Sequence, residues 1–137
     1  MGMNITTKGR YALRIMIDLA QQGNDATVSL KSISERQGIS IKYMEAIAAS
    51  LNKAGFIVAS RGKNGGYRLT RKPEEYSIGE LLKLAEGSLA PVSCLESGCP
   101  NSSGCITLPL WAGLDRRIDA YLGQVTLADI LNGTVPE

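Results

Sequence analysis

LKSISERQGISIKYMEAIAASLNKAGFIVASRGKNGGYRL, residues 30–69, reads as two short helices followed by a two-stranded ribbon. Ser29 caps a helix through Leu30, Ile33 and Ser34 that ends near Gln37, where Gly38 supplies the left-handed backbone a tight turn needs. Ser40 caps a second helix, in which Ile41, Met44, Ile47, Ala48 and Leu51 recur at helical spacing and define an apolar face. Two helices joined by a short glycine turn form a helix-turn-helix, whose second helix enters the major groove of DNA. Gly55 stops that helix. The run Phe56–Ser60, an Asn-Gly turn spanning Arg61–Gly66 and the run Tyr67–Thr70 then predict a hairpin. A hairpin directly after a recognition helix is a wing, and Arg61 and Lys63 at its tip have a shape and charge suited to a narrow groove. The fold expected is mainly α with a small β-hairpin wing.

Charge is distributed in the same sense. The chain of 137 residues has a net charge of +2. Through Tyr76 it carries 12 Lys and Arg against 6 Asp and Glu, and from Ser77 onward 3 against 7. The basic half is the half with the helix-turn-helix, as phosphate binding requires. No apolar run approaches the roughly 20 residues needed to span a membrane. The opening Met-Gly-Met leads straight into Asn-Ile-Thr-Thr-Lys-Gly-Arg without a signal-peptide pattern, so a cytoplasmic protein is expected.

Working outward, Thr6 or Thr7 starts a first helix to about Gln22, with Tyr11, Ala12, Ile15, Met16 and Leu19 as its core stripe. Lys8, Arg10 and Arg14 crowd its start, against the helix dipole, which suits either phosphate contact or a solvated face. Residues 26–29 are placed as a short strand beside the wing. After the connector 71–76, Ser77 and Glu80 stand at capping-box spacing and open a helix to about Glu86, ended by Gly87. From Thr107 helical periodicity returns, with Leu110, Trp111, Leu114, Ile118, Tyr121 and Leu122 at three- and four-residue steps. A long apolar helix closing a small domain suits a homodimer interface, for which Leu110, Trp111, Leu114, Ile118 and Tyr121 are the candidates; packing within one chain is the alternative. Residues 1–76 thus form a winged helix-turn-helix unit. Residues 77–137 hold a loop at 88–106, the long C-terminal dimerisation helix and a tail.

That loop is rich in small turn-forming residues and contains all three cysteines of the chain, Cys94, Cys99 and Cys105. In an intracellular setting a structural disulfide is not expected, and an odd count leaves one thiol unpaired. Three thiolates on a glycine-rich loop suit an iron–sulfur cluster; a structural zinc and a redox thiol switch compete with it. An enzyme is disfavoured, because the chain has no histidine and nothing supplies the base that would activate a cysteine nucleophile.

The start Met-Asn-Ile-Thr-Thr-Lys-Gly-Arg-Tyr-Ala, with Ile-Ser-Glu-Arg-Gln-Gly-Ile-Ser, Tyr-Met-Glu, Leu-Asn-Lys-Ala-Gly-Phe, Arg-Gly-Lys-Asn-Gly-Gly-Tyr-Arg-Leu and Val-Thr-Leu-Ala-Asp-Ile-Leu, resembles the Rrf2 family of bacterial transcription regulators, above all its iron–sulfur members. The resemblance implies a homodimeric winged-helix regulator of a two-fold DNA operator, with repression the expected sign. It also implies a cluster on Cys94, Cys99 and Cys105, [2Fe-2S] ahead of [4Fe-4S]. The first interval between these cysteines is one residue shorter than in typical relatives. The alternative within the family is a cluster-free regulator controlled by thiol oxidation or by a partner protein of cysteine metabolism. By the resemblance Glu45 discriminates between sites, where it can accept from cytosine N4, and Arg61 enters the minor groove. Lys8, Arg10, Ser40, Lys42, Tyr43 and Lys63 complete the DNA contacts expected. The family's iron–sulfur regulators take a histidine as fourth ligand three residues after the third cysteine, where this chain has Leu108. Its nitric oxide sensors use an N-terminal aspartate of the partner subunit, where this chain has Arg10. Glu96 is the first candidate for the vacant role; Asn101, Ser103, water or an external thiol are the others.

Overall fold

The computed structural model describes residues 5–23, 25–63, 65–92, 95 and 105–137. Helix α1 runs Thr7–Gln22, α2 Leu30–Gln37 and α3 Ile41–Lys53; strands β1 (Ile57–Ser60) and β2 (Gly66–Leu69) follow, then α4 (Ile78–Glu86), α5 (Leu108–Gln124) and α6 (Leu127–Asn132). The helix starts follow from hydroxyl caps. Thr6, Ser29, Ser40, Ser77 and Thr126 each accept a backbone N–H of the first turn. The turn between α2 and α3 passes through Gly38 at φ +67°, ψ +32°, the left-handed region. The Ser34 hydroxyl donates to the Ile39 carbonyl and Ile39 is buried, so the turn is held from both sides.

β1 and β2 pair antiparallel with Ile57 opposite Leu69 and Ser60 opposite Gly66. Val28 adds one bridge to Tyr67, with N–H···O distances of 2.8 Å in both directions, so the strand expected at 26–29 is a single bridge. Gly66 is required there because a Cβ would run into the Val28 carbonyl.

One core unites the helices. Ile15, Met16 and Leu19 of α1, Ile33 of α2, Met44 and Leu51 of α3, Leu81 of α4 and Leu127 of α6 belong to a single buried cluster. The expected apolar face of α3 is correct for Met44, Ile47, Ala48 and Leu51, which are buried, but Ile41 is 40% exposed. It occupies the first helical position, beyond the edge of the core. Glu80 departs from the expected capping box: its backbone N–H bonds Ser77, while its carboxylate pairs with Arg71 at 3.2 Å. Tyr76 joins the halves of the chain. Its buried hydroxyl donates to the Phe56 carbonyl at 2.7 Å and accepts from Thr70 and Arg71 N–H at 3.0 and 3.1 Å. Its own carbonyl accepts from Leu127 N–H at 3.0 Å, which brings the C-terminal segment back onto the winged unit. Among the described residues no helix is long and apolar enough to cross a membrane.

Candidate nucleic-acid interface and cysteine loop

Helix α3 turns its apolar stripe inward, so Lys42, Tyr43, Glu45, Ala46 and Ala49 are left exposed. Lys8, Ser40, Lys42 and Tyr43 line one groove of about 580 Å³ between α1, α3 and α4, floored by Ala12, Ile47, Leu51 and Leu84. The structure therefore gathers four of the expected DNA contacts. Arg10 is exposed on the first turns of α1, Glu45 on α3, and Arg61 and Lys63 at the wing tip, outside that groove. Ser40 is engaged twice over, because its hydroxyl oxygen caps α3 by accepting from Tyr43 N–H at 3.3 Å.

Tyr43 is held more firmly than an exposed side chain usually is. Its hydroxyl lies 2.8 Å from the Thr7 hydroxyl, and its ring meets Tyr11 edge-on with centroids 5.4 Å apart. Helix α3 is thus keyed to the first turns of α1. The other end of α1 is keyed to α2. Asp18, 1% exposed, accepts from Arg36 Nη2 at 2.6 Å, Arg36 Nε at 3.0 Å and Gln37 Nε2 at 3.0 Å. Burial alone would push the Asp18 carboxyl up; the hydrogen bonds from Arg36 and Gln37 and the Arg36 charge outweigh it and hold the group below the usual carboxylate range. Sequence reasoning missed this lock. An Asp on the core stripe of a helix, with Arg-Gln closing the next helix, was the available signal.

The loop at 88–106 is described only in part. Cys94, Cys99 and Glu96 lie outside the described residues, as do Asn101 and Ser103. Cys105 is half-buried, just before α5, with its sulfur 3.2 Å from the Thr107 hydroxyl. That hydroxyl, then the Thr107 and Leu108 backbone N–H groups, stabilise a negative sulfur and draw the thiol below its ordinary value. A thiolate at this position is the donor that a soft metal centre requires. Leu108, in the place of the family's histidine, opens α5.

Helix α5 leans on α4 through Ile118 and Leu122, which pack against the core, and through Lys83 Nζ to Asp119 Oδ1 at 2.8 Å. No residue of α5 is fully buried. Leu110 is 63% exposed, and Trp111 and Leu114 stand off the core cluster. Ile118, grouped with these as an interface residue from its spacing, faces its own chain's core. Tyr121 is exposed and donates its hydroxyl to the Pro136 carbonyl at 2.8 Å.

Comparison with known proteins agrees with this architecture. A family model described as Rrf2, iron-dependent transcriptional regulator, matches residues 5–133. The HTH-type transcriptional regulator IscR of Aliivibrio salmonicida is 38% identical over 130 residues, covering 94% of this chain and 77% of that protein. The solved structure of T. potens IscR superposes with a TM-score of 0.77 at 38% identity, covering 97% of this chain and 89% of that one. The structure of CymR, the global cysteine regulator of B. subtilis, superposes with a TM-score of 0.78 at 34% identity, covering 96% and 98%.

Proposed function

Because this chain belongs to the Rrf2 family of transcription regulators, we propose that it binds a two-fold DNA operator as a homodimer. We further propose that loop 88–106, through an iron–sulfur cluster on Cys94, Cys99 and Cys105, sets its affinity for that operator. It is a regulator rather than an enzyme, as its relatives are. The division into a winged unit at 1–76 and a sensing and dimerising part at 77–137 belongs to this proposal, as does a repressing role.

The carrying observation is the placement of Cys105. The one described cysteine stands where a hydroxyl and two backbone N–H groups favour its thiolate, at the junction between the loop and α5. When bound, a cluster supplies an oxygen- and nitric-oxide-sensitive centre that ties three points of the loop together. The chain's own residues do the rest. Lys8, Arg10 and Lys42 meet phosphates, Tyr43 and Glu45 face base edges, and Arg61 and Lys63 carry the wing to the minor groove. Leu110, Trp111 and Leu114 form the outer face of α5 against the second copy. Its half-site then lies about 34–36 Å away, as helix-turn-helix dimers require. No fourth ligand is assigned from the described residues, and Glu96 keeps first place.

A second reading rests on the same lowered thiol: a cluster-free regulator in which Cys105 is oxidised. Protein purified without oxygen separates the two. Sulfur-to-iron absorption bands, with iron and sulfide in proportion to chains and lost in Cys94→Ala, Cys99→Ala and Cys105→Ala, support the cluster. Colourless wild-type protein that takes up no sulfide on reconstitution overturns it in favour of the thiol switch.

A further inference from the structure

The first turn of α1 has no acidic residue of its own, although Lys8 and Arg10 place positive charge there. The missing acid comes from the last residue of α4. Glu86 Oε2 accepts from Thr6 N–H at 2.8 Å and Gly9 N–H at 2.9 Å, and Oε1 accepts from the Thr6 hydroxyl at 2.8 Å. Gly9 is buried and leaves room for this contact: a Cβ there would stand 2.5 Å from Glu86 Oε2. One residue after Thr6, Thr7 holds the Tyr43 hydroxyl, and Tyr11 holds its ring. In the other direction Gly87, at φ +87°, ends α4 and the cysteine loop begins.

We propose that Glu86 is the positioning residue for DNA recognition: it latches the start of α1 to the end of α4 and so relays the state of the loop to Tyr43. The relay rests on the reading of the loop as a sensor. With the latch closed, the first turn of α1 is anchored and Tyr43 keeps both partners. A pull on Gly87 opens the latch, the first turn keeps only the Thr6 cap on Lys8 N–H and frays, and Tyr43 loses the contacts that aim it. The geometry also says what can substitute. One carboxylate oxygen takes both backbone N–H groups, and the other meets only a hydroxyl, which can accept as well as donate. A glutamine with its oxygen in the Oε2 place keeps every contact.

The test uses the full chain labelled with 3-fluorotyrosine, the Tyr43 resonance being assigned with Tyr43→Phe. Affinities are measured for a duplex selected from random sequence and for an unrelated duplex. Glu86→Ala should move the Tyr43 resonance and weaken the selected duplex by about two- to thirtyfold, the range of modest couplings between sites. The unrelated duplex should weaken less, because Lys8 and Arg10 share the loosened turn whereas Tyr43 faces only base edges. Gly9→Ala, which keeps the carboxylate, favours helix and pushes the latch open, should reproduce both effects, so a poorly folded Glu86→Ala does not leave the matter undecided. Glu86→Gln should restore both. In wild type, cluster reconstitution or alkylation of the cysteines should move the Tyr43 resonance, and in Glu86→Ala it should not. An unmoved resonance in Glu86→Ala and Gly9→Ala, equal loss on both duplexes, failure of Glu86→Gln to rescue, or a wild-type resonance indifferent to the loop overturns the relay. Iron and sulfide uptake is scored separately: its failure sinks the cluster and leaves the relay to be judged by alkylation.

Discussion

Replacing Arg36 with Met removes the guanidinium that grips Asp18 and keeps most of the aliphatic stem. Asp18 would remain at 1% exposure with Gln37 Nε2, at 3.0 Å, as its one side-chain donor. Three charge-assisted contacts would go, Nη2 to Oδ1 at 2.6 Å and the bifurcated Nε to Oδ2 at 3.0 Å and Oδ1 at 3.2 Å. Bonds to charged groups contribute roughly 1.5–3 kcal/mol each. The Arg36 side chain is 39% exposed, so solvent screening takes the lower end of that range for the pair. Protonation sets the ceiling: neutralising a carboxyl of ordinary pKa near 3.9 at pH 7 costs about 4 kcal/mol at about 1.36 kcal/mol per unit. The expected loss is about 2–4 kcal/mol, read by urea unfolding at fixed protein concentration. The pH dependence identifies the cause. In wild type the folded Asp18 pKa is depressed, so its contribution is present above the unfolded value and lost as pH falls through the folded one. In Arg36→Met, burial acts without its main opponent and raises the folded pKa. The variant should therefore grow less stable as pH rises from about 4 to 7, a window in which this group leaves wild type flat. A loss below about 0.5 kcal/mol, or variant and wild-type curves that run parallel across that window, would refute the buried lock.

Three further outcomes are expected. Arg61→Ala should weaken the selected duplex by about 1–3 kcal/mol, and Lys42→Ala should weaken all sequences alike and lower the salt slope by about one; unchanged affinity in both, measured by fluorescence anisotropy, removes the wing-and-helix docking. Leu114→Asp would place an unpaired charge in the proposed interface, and sedimentation should show monomer or aggregate, whereas an intact dimer on a two-fold site rejects that face of α5. Tyr76→Phe leaves the Phe56 carbonyl with only the Thr70 hydroxyl at 3.2 Å and strands the Thr70 and Arg71 N–H groups, for a loss of about 1–3 kcal/mol in urea unfolding; wild-type stability would show that water replaces the hydroxyl.

What could be read in the sequence was local. Ser29, Ser40 and Ser77 announce their helices within three residues, and Gly38 and the Asn-Gly turn punctuate them, so the helix-turn-helix and wing are legible in the residues alone. Contacts between distant segments were not. Glu86 binds a helix N-cap residue, Thr6, that lies 80 residues before it, and Tyr76 binds the strand ends of the wing. Nothing in periodicity marks either. Helical spacing also does not say what a stripe packs against: Ile41 lies past the core, and Ile118 of α5 packs against its own chain's core. The loop carries its signal in three cysteines alone, since small turn-forming residues have no period to read, and two of the three lie outside the described residues.

The central claim is that the state of the cysteine loop sets DNA affinity. Its most direct test is equilibrium binding of the selected duplex, without oxygen and at fixed salt, by reconstituted protein, by protein stripped of iron, and by the Cys94→Ala, Cys99→Ala, Cys105→Ala triple variant. The account predicts that reconstituted and stripped protein differ by about 5- to 150-fold, the usual range of coupling between two sites. The triple variant should match the stripped protein under every treatment. Equal affinity in all three, with iron and sulfide shown to be bound in the first, would contradict it.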